Sequence, residues 1–258
     1  MDIPTHIHPT AVVDPDARLA AEVKVGPFAV IEGGTVVGER TEIMAHAQVL
    51  QGTTLGTDCQ MFHGAVVGAL PQDLSFEGDN TPTSIGDGTV LREYVTVHRG
   101  TREEGTIIGS QAYLMAYVHV GHDGMIGDNV VLANMVQLGG FAQIHEYASI
   151  GGCTPVHQFC RVGAHAFVGG GFRVVQDVPP YVLASGEPLR FGGLNVVGLR
   201  RFGFPAEVRG QIKQAYKLIY RSKHNLSQAV AIIREELEPS LEIRMILEFI
   251  EQGSRGLI

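Results

Sequence analysis

Residues 120–144 read Val-Gly-His-Asp-Gly-Met-Ile-Gly-Asp-Asn-Val-Val-Leu-Ala-Asn-Met-Val-Gln-Leu-Gly-Gly-Phe-Ala-Gln-Ile, with a large aliphatic residue at every sixth place: Val120, Ile126, Leu132, Leu138 and Ile144. The register runs back to Ile108 and Leu114 and on through Ile150, Val156, Val162 and Val168 to Val174. An earlier run steps by six from Ile7 to Val67, and a short one joins Ile85, Leu91 and Val97. Every anchor is aliphatic or Met. The residue four places later is mostly small (Ala29, Thr41, Ala65, Ala112, Ala148, Cys160), and glycine often directly follows the anchor (Gly26, Gly38, Gly86, Gly121, Gly139, Gly151). One large and one small inward residue per six, with glycine near the corner, predicts a parallel β-helix built from hexapeptide repeats. Each hexapeptide is one flat side of a triangular prism, and eighteen residues complete a coil.

The register breaks twice, which predicts loops at 68–84 and 103–107; long excursions from a regular scaffold are where function concentrates. It stops at Val178-Pro179-Pro180. Beyond that point the apolar period becomes helical: Val208, Ile212, Ala215 and Ile219 after Pro205, then Leu226, Ala229, Ile232 and Ile233, then Leu241, Ile243, Ile246, Leu247 and Ile250, with Gly253 as a stop. The expected organisation is a β-helical domain over 1–180 and an α-helical domain over 181–258.

Composition agrees with such a chain. Glycine is 33 of 258 residues, well above the roughly 7% of an average protein. Charged residues are 18% and hydrophobic ones 45%, too apolar for a disordered chain. Collagen is excluded because glycine does not fall at every third place. The net charge of −8 argues against nucleic acid as a partner. Cys59, Cys153 and Cys160 show no CxxC spacing and an odd count, so no disulfide framework is expected; Cys59 and Cys160 occupy the small inward position as packing residues. The opening Met-Asp-Ile-Pro-Thr-His has no basic region before an apolar run, and no stretch reaches about 18 apolar residues. A cytoplasmic protein without stable membrane insertion is expected.

Coil arithmetic turns spacing into geometry. Residues eighteen apart stack about 4.8 Å from one another, so His122, Gly140 and Gln158 form one corner column, with His119 just across the corner. A neutral imidazole there can take a proton from a hydroxyl or amine, a side-chain-free neighbour leaves its N–H open to a developing oxyanion, and Asp123 can orient the ring. That combination suits acyl transfer. The same region allows a rival chemistry: His98, His119 and His122 as zinc ligands of a hydratase resembling the γ-class carbonic anhydrases. A corner histidine can also be merely solvated.

Arg209, Lys213, Lys217 and Arg221 recur at four-residue steps and share one helix face. Such a stripe is either a solvated face or, in an acidic protein, a docking surface for an acidic partner.

Several segments carry a resemblance: His-Pro-Thr-Ala-Val-Val (8–13), Gln-Asp-Leu (72–74), Val-Thr-Val-His-Arg-Gly-Thr (95–101), His-Val-Gly-His-Asp (119–123), Val-His-Gln-Phe-Cys (156–160), Gln-Asp-Val-Pro-Pro-Tyr-Val (176–182), Ala-Tyr-Lys-Leu-Ile-Tyr-Arg-Ser (215–222) and Ser-Arg-Gly-Leu-Ile (254–258). In this order, over nearly the whole chain, the set resembles the bacterial UDP-N-acetylglucosamine acyltransferases of lipid A biosynthesis. The resemblance implies a left-handed β-helix and a homotrimer with active sites in the clefts between β-helices. It also implies transfer of an (R)-3-hydroxyacyl group from acyl carrier protein to the 3-position of the UDP-sugar. It places the general base on His122 and the oxyanion donor on Gly140 N–H. The sugar-nucleotide and acyl pocket falls on Gln72, Asp73, His119, Asp123, His157, Gln158, Asn195 and Arg201, and the acyl-length gauge on Gly170 with Pro188 nearby. No metal or cofactor is implied, because the acyl group arrives on the phosphopantetheine of the carrier protein, whose acidity would give the basic stripe its purpose.

The chain departs from the family's pattern at Ser75, Phe141, Val197 and Phe202, all in segments that would meet the nucleotide or sugar. These departures leave a second acceptor open, a 3-amino sugar giving an amide. The sister N-acyltransferase of the same pathway carries an extra leading domain for which the repeat, starting at Ile7, leaves no room. An ice-binding scaffold would need an outward face of regular Thr, and small-molecule acetyltransferases lack the long cationic helical tail.

Overall fold

The computed structural model describes residues 5–258; residues 1–4, on which part of the N-terminal expectation and the first residues of the 1–180 domain fall, lie outside it. Short strands, mostly two residues long, wind into three parallel sheets of eleven, eight and eight strands. The coil is a left-handed β-helix. Register follows the coil arithmetic: His119 pairs with Gln137, and Gln137 with Pro155, eighteen residues apart each time. Across the first loop Met61 pairs with Leu91, and across the second Val97 pairs with Val120. The two insertions therefore add twelve and five residues to the coil. The excursions lie at 70–82 and 99–105 rather than 68–84 and 103–107, because Gly68, Ala69, Thr83, Ser84, Thr106 and Ile107 stay in strands. Stepping back from the next anchor cannot see that the strand begins two residues before it.

Each anchor from Val25 to Val174 is at most 3% exposed, and the small residues four places on are equally buried. Ile7 is 42% exposed at the open first coil, where no earlier coil covers it. Thr41 and Thr89, buried in the small position, return their hydroxyls to corner carbonyls, Thr41 Oγ1 to Gly56 O (2.9 Å) and Thr89 Oγ1 to Gly109 O (2.7 Å). The corner itself requires a left-handed residue three places after the anchor, and non-glycine residues hold it: Asp123 at φ 57°, Phe141 at 59°, Phe159 at 65°. Glycine directly after the anchor serves a different need. A Cβ on Gly38 would lie 2.4 Å from the carbonyl carbon of Gly56, so the backbones of successive coils touch there. Gly38, Gly56, Gly86, Gly109, Gly127 and Gly163 all follow strands of one sheet, and the glycine excess is partly this single stacked corner.

The chain does not turn helical at once after Pro180. Val182–Ser185 extends the eleven-stranded sheet in parallel, and Arg190–Leu194 folds back on it antiparallel, so the expected helical segment opens with a hairpin that caps the sheet. Four helices follow: α1 (Val196–Arg201), α2 (Ala206–Arg221), α3 (Leu226–Glu236) and α4 (Leu241–Glu251). Asn195 and Ser240 cap α1 and α4, and Asn225 closes a capping box with Gln228 on α3. Pro205 sits at the N-cap of α2. Ile212, Ala215 and Tyr216 bury the inner face of α2. Leu226 and Leu241, read as core positions, are exposed at the first turns of their helices, while Leu237 and Phe249 are buried instead.

The helices are tied to the coil by a buried ion pair. Arg161 Nε and Nη2 donate to Asp177 Oδ2 at 2.9 and 2.7 Å, and Nη2 also reaches Phe249 O at 2.6 Å. The chain end returns to the same residue: Asp177 N donates to Gly256 O, and Ile258 N to Asp177 O. Among the described residues no helix is long and apolar enough to cross a membrane.

Candidate active site

The strands His119–Val120, Gln137–Leu138 and Pro155–Val156 are neighbours in one eight-stranded sheet, and the corner that follows them carries the His122, Gly140, Gln158 column. Stacking is close. A Cβ on Gly140 would meet His122 Nε2 at 2.5 Å and Cε1 at 2.6 Å, and Phe159 N donates to Gly140 O at 3.1 Å. Gly140 N–H has no partner among the described residues. The cause lies in the regular corners of the coil, where the residue two places after an anchor donates to no backbone carbonyl and proline is accepted at Pro9, Pro15 and Pro27; Arg99, at the start of the second loop, is the exception, donating to Ala69 O. At Gly140 that spare donor lies beside an imidazole.

His122 is held by its neighbour. Nδ1 lies 2.8 Å from Asp123 Oδ2, with the two side chains 15% and 6% exposed. Asp123 in turn accepts from Thr101 N, Thr101 Oγ1 and Arg102 N in the second loop. A carboxylate that accepts from all these donors leaves Nδ1 as the donor of the fourth bond, so the lone pair of the neutral ring is on Nε2, facing Gly140. Phe141 packs edge-on against His122, with centroids 5.2 Å apart, and stacks on Phe159 at 4.8 Å. Phe141 thus supports the His122 ring by apolar packing.

An open cleft of about 430 Å³ gathers Gln72, His98, His119, His122, Gly140, His157 and Gln158. Gln72 arrives from the first loop. Asp73 sits beside it, where two hydrogen bonds from Ser75 and then the nearby His122 hold its carboxyl below the usual range. Ser75 thus fixes Asp73. His119 Nδ1 shares a hydrogen bond with Thr96 Oγ1 at 2.8 Å, and burial, with His122 nearby, pushes its pKa down. His98 meets His119 edge-on at 4.7 Å, and burial followed by the two neighbouring histidines pushes it down to about 4. No three His, Cys, Asp or Glu side chains among the described residues are grouped so that they could hold a metal ion; the rival zinc reading sets its histidines at a subunit interface.

Three expected pocket residues stand elsewhere in the single chain. Gly170 lies at the corner after the eleven-stranded sheet, stacked with its would-be Cβ 3.0 Å from Gly152 O. Asn195 spends its side chain on the fold: Oδ1 accepts from Gly198 N and Nδ2 donates to His165 O. Arg201 is exposed at the end of α1, next to Phe202, whose ring meets Tyr147 and His165 edge-on. Val197 is 72% exposed.

Along the basic stripe, Lys213, Lys217 and Arg221 border a second, largely apolar cavity of about 370 Å³ walled by Phe191, Leu194 and Tyr216. Arg209 is turned aside, donating to Phe204 O. Two residues that spacing did not expose also bear on the cleft: Thr101, which clamps Asp123, and Arg255, which reaches His157 and Gln158 O from the chain end. Neither lies on the repeat, so no periodic signal marks them.

Comparison with known proteins gives a consistent result. A family model described as UDP N-acetylglucosamine O-acyltransferase, domain 2, matches residues 177–258. An acyl-(acyl-carrier-protein)–UDP-N-acetylglucosamine O-acyltransferase of Syntrophobacter fumaroxidans is 42% identical over 255 residues, covering 98% of this chain and 99% of that protein. One from Thiobacillus denitrificans is 42% identical over 254 residues, covering 98% of each. The crystal structure of a UDP-N-acetylglucosamine acyltransferase from Bacteroides fragilis superposes with a TM-score of 0.94 at 40% identity, covering 98% of this chain and 99% of that one. Relatives named for O-acyl transfer to UDP-N-acetylglucosamine favour neither the zinc hydratase nor the 3-amino-sugar reading.

Proposed function

Because the chain belongs to the acyl-(acyl-carrier-protein)–UDP-N-acetylglucosamine O-acyltransferase family, we propose a mechanism in which His122 is the general base and Gly140 N–H the oxyanion donor. The protein is an acyltransferase with acyl carrier protein as donor and UDP-N-acetylglucosamine as acceptor. The group moved is a 3-hydroxyacyl chain, and the receiving atom is the sugar 3-hydroxyl, as the first acylation of lipid A biosynthesis in the cytoplasm.

The observation that carries the mechanism is the His122 ring, fixed at Nδ1 by Asp123 at 2.8 Å and covered at Nε2 by a residue without a side chain. Nε2 takes the hydroxyl proton as the sugar oxygen attacks the thioester carbonyl. Negative charge gathers on the former carbonyl oxygen, and the unpaired Gly140 N–H is placed to receive it. Collapse breaks the carbon–sulfur bond, and the departing thiolate of the phosphopantetheine arm takes the proton back from the imidazolium. Asp123 steadies that cation without accepting its proton. Gln72, Asp73, His119, His157 and Gln158 line the acceptor side. The thioester arrives already activated, so the steps use no metal or cofactor.

The corner separation of Gly170, Asn195 and Arg201 from His122 supports a homotrimer whose sites form between chains. The corner that bears Gly170 exposes an apolar ladder, with Phe28, Tyr94, Tyr117 and Met135 each more than half exposed and Tyr94 stacked on Tyr117 at 5.2 Å. A second copy laid on this ladder would bring Gly170 toward its His122 corner, where a residue without a side chain allows a deep groove and a long acyl chain. Lys213, Lys217 and Arg221 receive the acidic carrier protein.

His122→Ala tests the mechanism. Losing a placed general base lowers turnover by roughly 10²–10⁴-fold, so near-normal transfer by a folded variant would sink it. Product masses from acyl carrier protein thioesters of graded length, offered with UDP-N-acetylglucosamine and with the 3-amino sugar, identify the acyl group and the atom acylated.

A further inference from the structure

The chain end supplies a charged side chain to the cleft that coil spacing cannot place. Arg255 Nη2 lies 2.5 Å from His157 Nδ1 and donates to Gln158 O at 2.9 Å. It is held there by its flanks, since Gly256 O accepts from Asp177 N and Leu257 bridges to Asp177, the residue paired with the buried Arg161. The fork thus grips the corner one coil beyond Gly140, in the column that holds His122.

We propose that Arg255 is a positioning residue that fixes the tautomer of His157 and so makes its ring a donor to a diphosphate oxygen of the acceptor. His157 Nδ1 is also 3.0 Å from Gln158 O, and taken alone that contact would put the ring proton on Nδ1. A guanidinium carries donors only. Nη2 has two hydrogens and two acceptors within reach, Gln158 O and His157 Nδ1, and both are satisfied only if Nδ1 accepts. The ring proton then resides on Nε2, the nitrogen turned away from Arg255, on a side chain that lines the cleft. Without Arg255 the balance reverses: Nδ1–H turns to Gln158 O and Nε2 becomes an acceptor, which repels an anionic oxygen. The guanidinium adds a positive charge behind the ring, which favours a phosphoryl oxygen over a sugar hydroxyl as the group bound.

This inference rests on the UDP-sugar reading of the cleft, and the test separates the two. UDP alone, which has the diphosphate and lacks the sugar, is titrated into the full-length protein and into Arg255→Ala and Arg255→Lys, with thermal melts recording folding. Arg255→Ala is expected to weaken UDP binding by about tenfold, the usual scale of one hydrogen bond to a charged group, and to raise KM for the UDP-sugar while kcat changes less. Arg255→Lys, a single point donor, recovers part of the loss. In protein labelled with ¹⁵N-histidine, the His157 resonance (assigned with His157→Gln) is expected to show a proton on Nε2 in the native chain and on Nδ1 in Arg255→Ala. A native His157 protonated on Nδ1, or UDP binding unchanged in Arg255→Ala, overturns the role of Arg255. A native protein that does not bind UDP overturns the reading of the cleft as well.

Discussion

Gly140 is stacked on His122 so closely that a methyl group on its Cα would lie 2.5 Å from Nε2. Gly140 has no positive φ, so the backbone would accept alanine and the conflict is with the imidazole alone. Gly140→Ala is therefore expected to melt within a few degrees of the native protein while transfer falls by about 10²-fold or more, as the ring leaves its place and the N–H is screened. In a Gly140→Ala, His122→Ala double variant the losses should not add, since both remove one unit of machinery. Additive losses would show that the two act separately.

Asp123 offers a cleaner probe of ring orientation. It sits at φ 57°, a conformation asparagine tolerates well, so Asp123→Asn leaves the corner intact. The amide can still accept from Nδ1–H or from Thr101, but it no longer offsets the charge of the imidazolium formed during transfer. Turnover is expected to fall by roughly 10–10²-fold with KM for both substrates little changed. A KM effect without a kcat effect would place Asp123 in binding rather than in catalysis.

The prism was legible because its core has one inward pattern and no other: each anchor from Val25 to Val174 is buried, and the insert lengths followed from where the register resumed. The stacking of His122, Gly140 and Gln158 in one column was legible for the same reason, since stacking at eighteen residues is a property of the coil. What escaped has no period. The hairpin Val182–Leu194 contains Gly186, Gly192 and Gly193 and owes its existence to an unpaired sheet edge. Leu226 and Leu241 fit the helical spacing but fall in first turns that the rest of the tail does not cover. Arg255 meets His157 across 98 residues, a contact set by how the tail folds over Asp177.

Acid should loosen the coil around the site. His98 is held down to about 4, mainly by burial, and burial also lowers His119, His145 and His165. The unfolded chain, with ordinary histidines near 6.5, binds more protons than the native one between those values, so stability rises with pH across that window. It is fully present above about 6.5 and is lost as pH falls toward about 4. For His98 alone the loss is on the order of 3 kcal/mol. Urea midpoints measured from pH 7.5 down to 4.5 should fall for the native protein and fall less steeply for His98→Gln. Parallel curves for the two would remove His98 from the acid limb.

Lys213, Lys217 and Arg221 point their charges past an apolar cavity rather than into an ion pair among the described residues. In a chain of net charge −8, three cations on one helix face make a local field of opposite sign, and a field of that kind draws an acidic partner while a small neutral ligand ignores it. Reversing all three to Glu turns attraction into repulsion without touching the buried face, which is formed by Ile212, Ala215 and Tyr216. KM for the acyl carrier protein thioester is expected to rise by about tenfold or more at low ionic strength, and the difference from the native protein should shrink as salt shortens the screening length. KM for UDP-N-acetylglucosamine should stay the same, and so should the rate with a short acyl-pantetheine donor that carries no protein. If the charge-reversed protein used the carrier-bound donor as well as the native one, the stripe would be a solvated face; if it lost activity with both donors, the substitutions would be acting on the site itself.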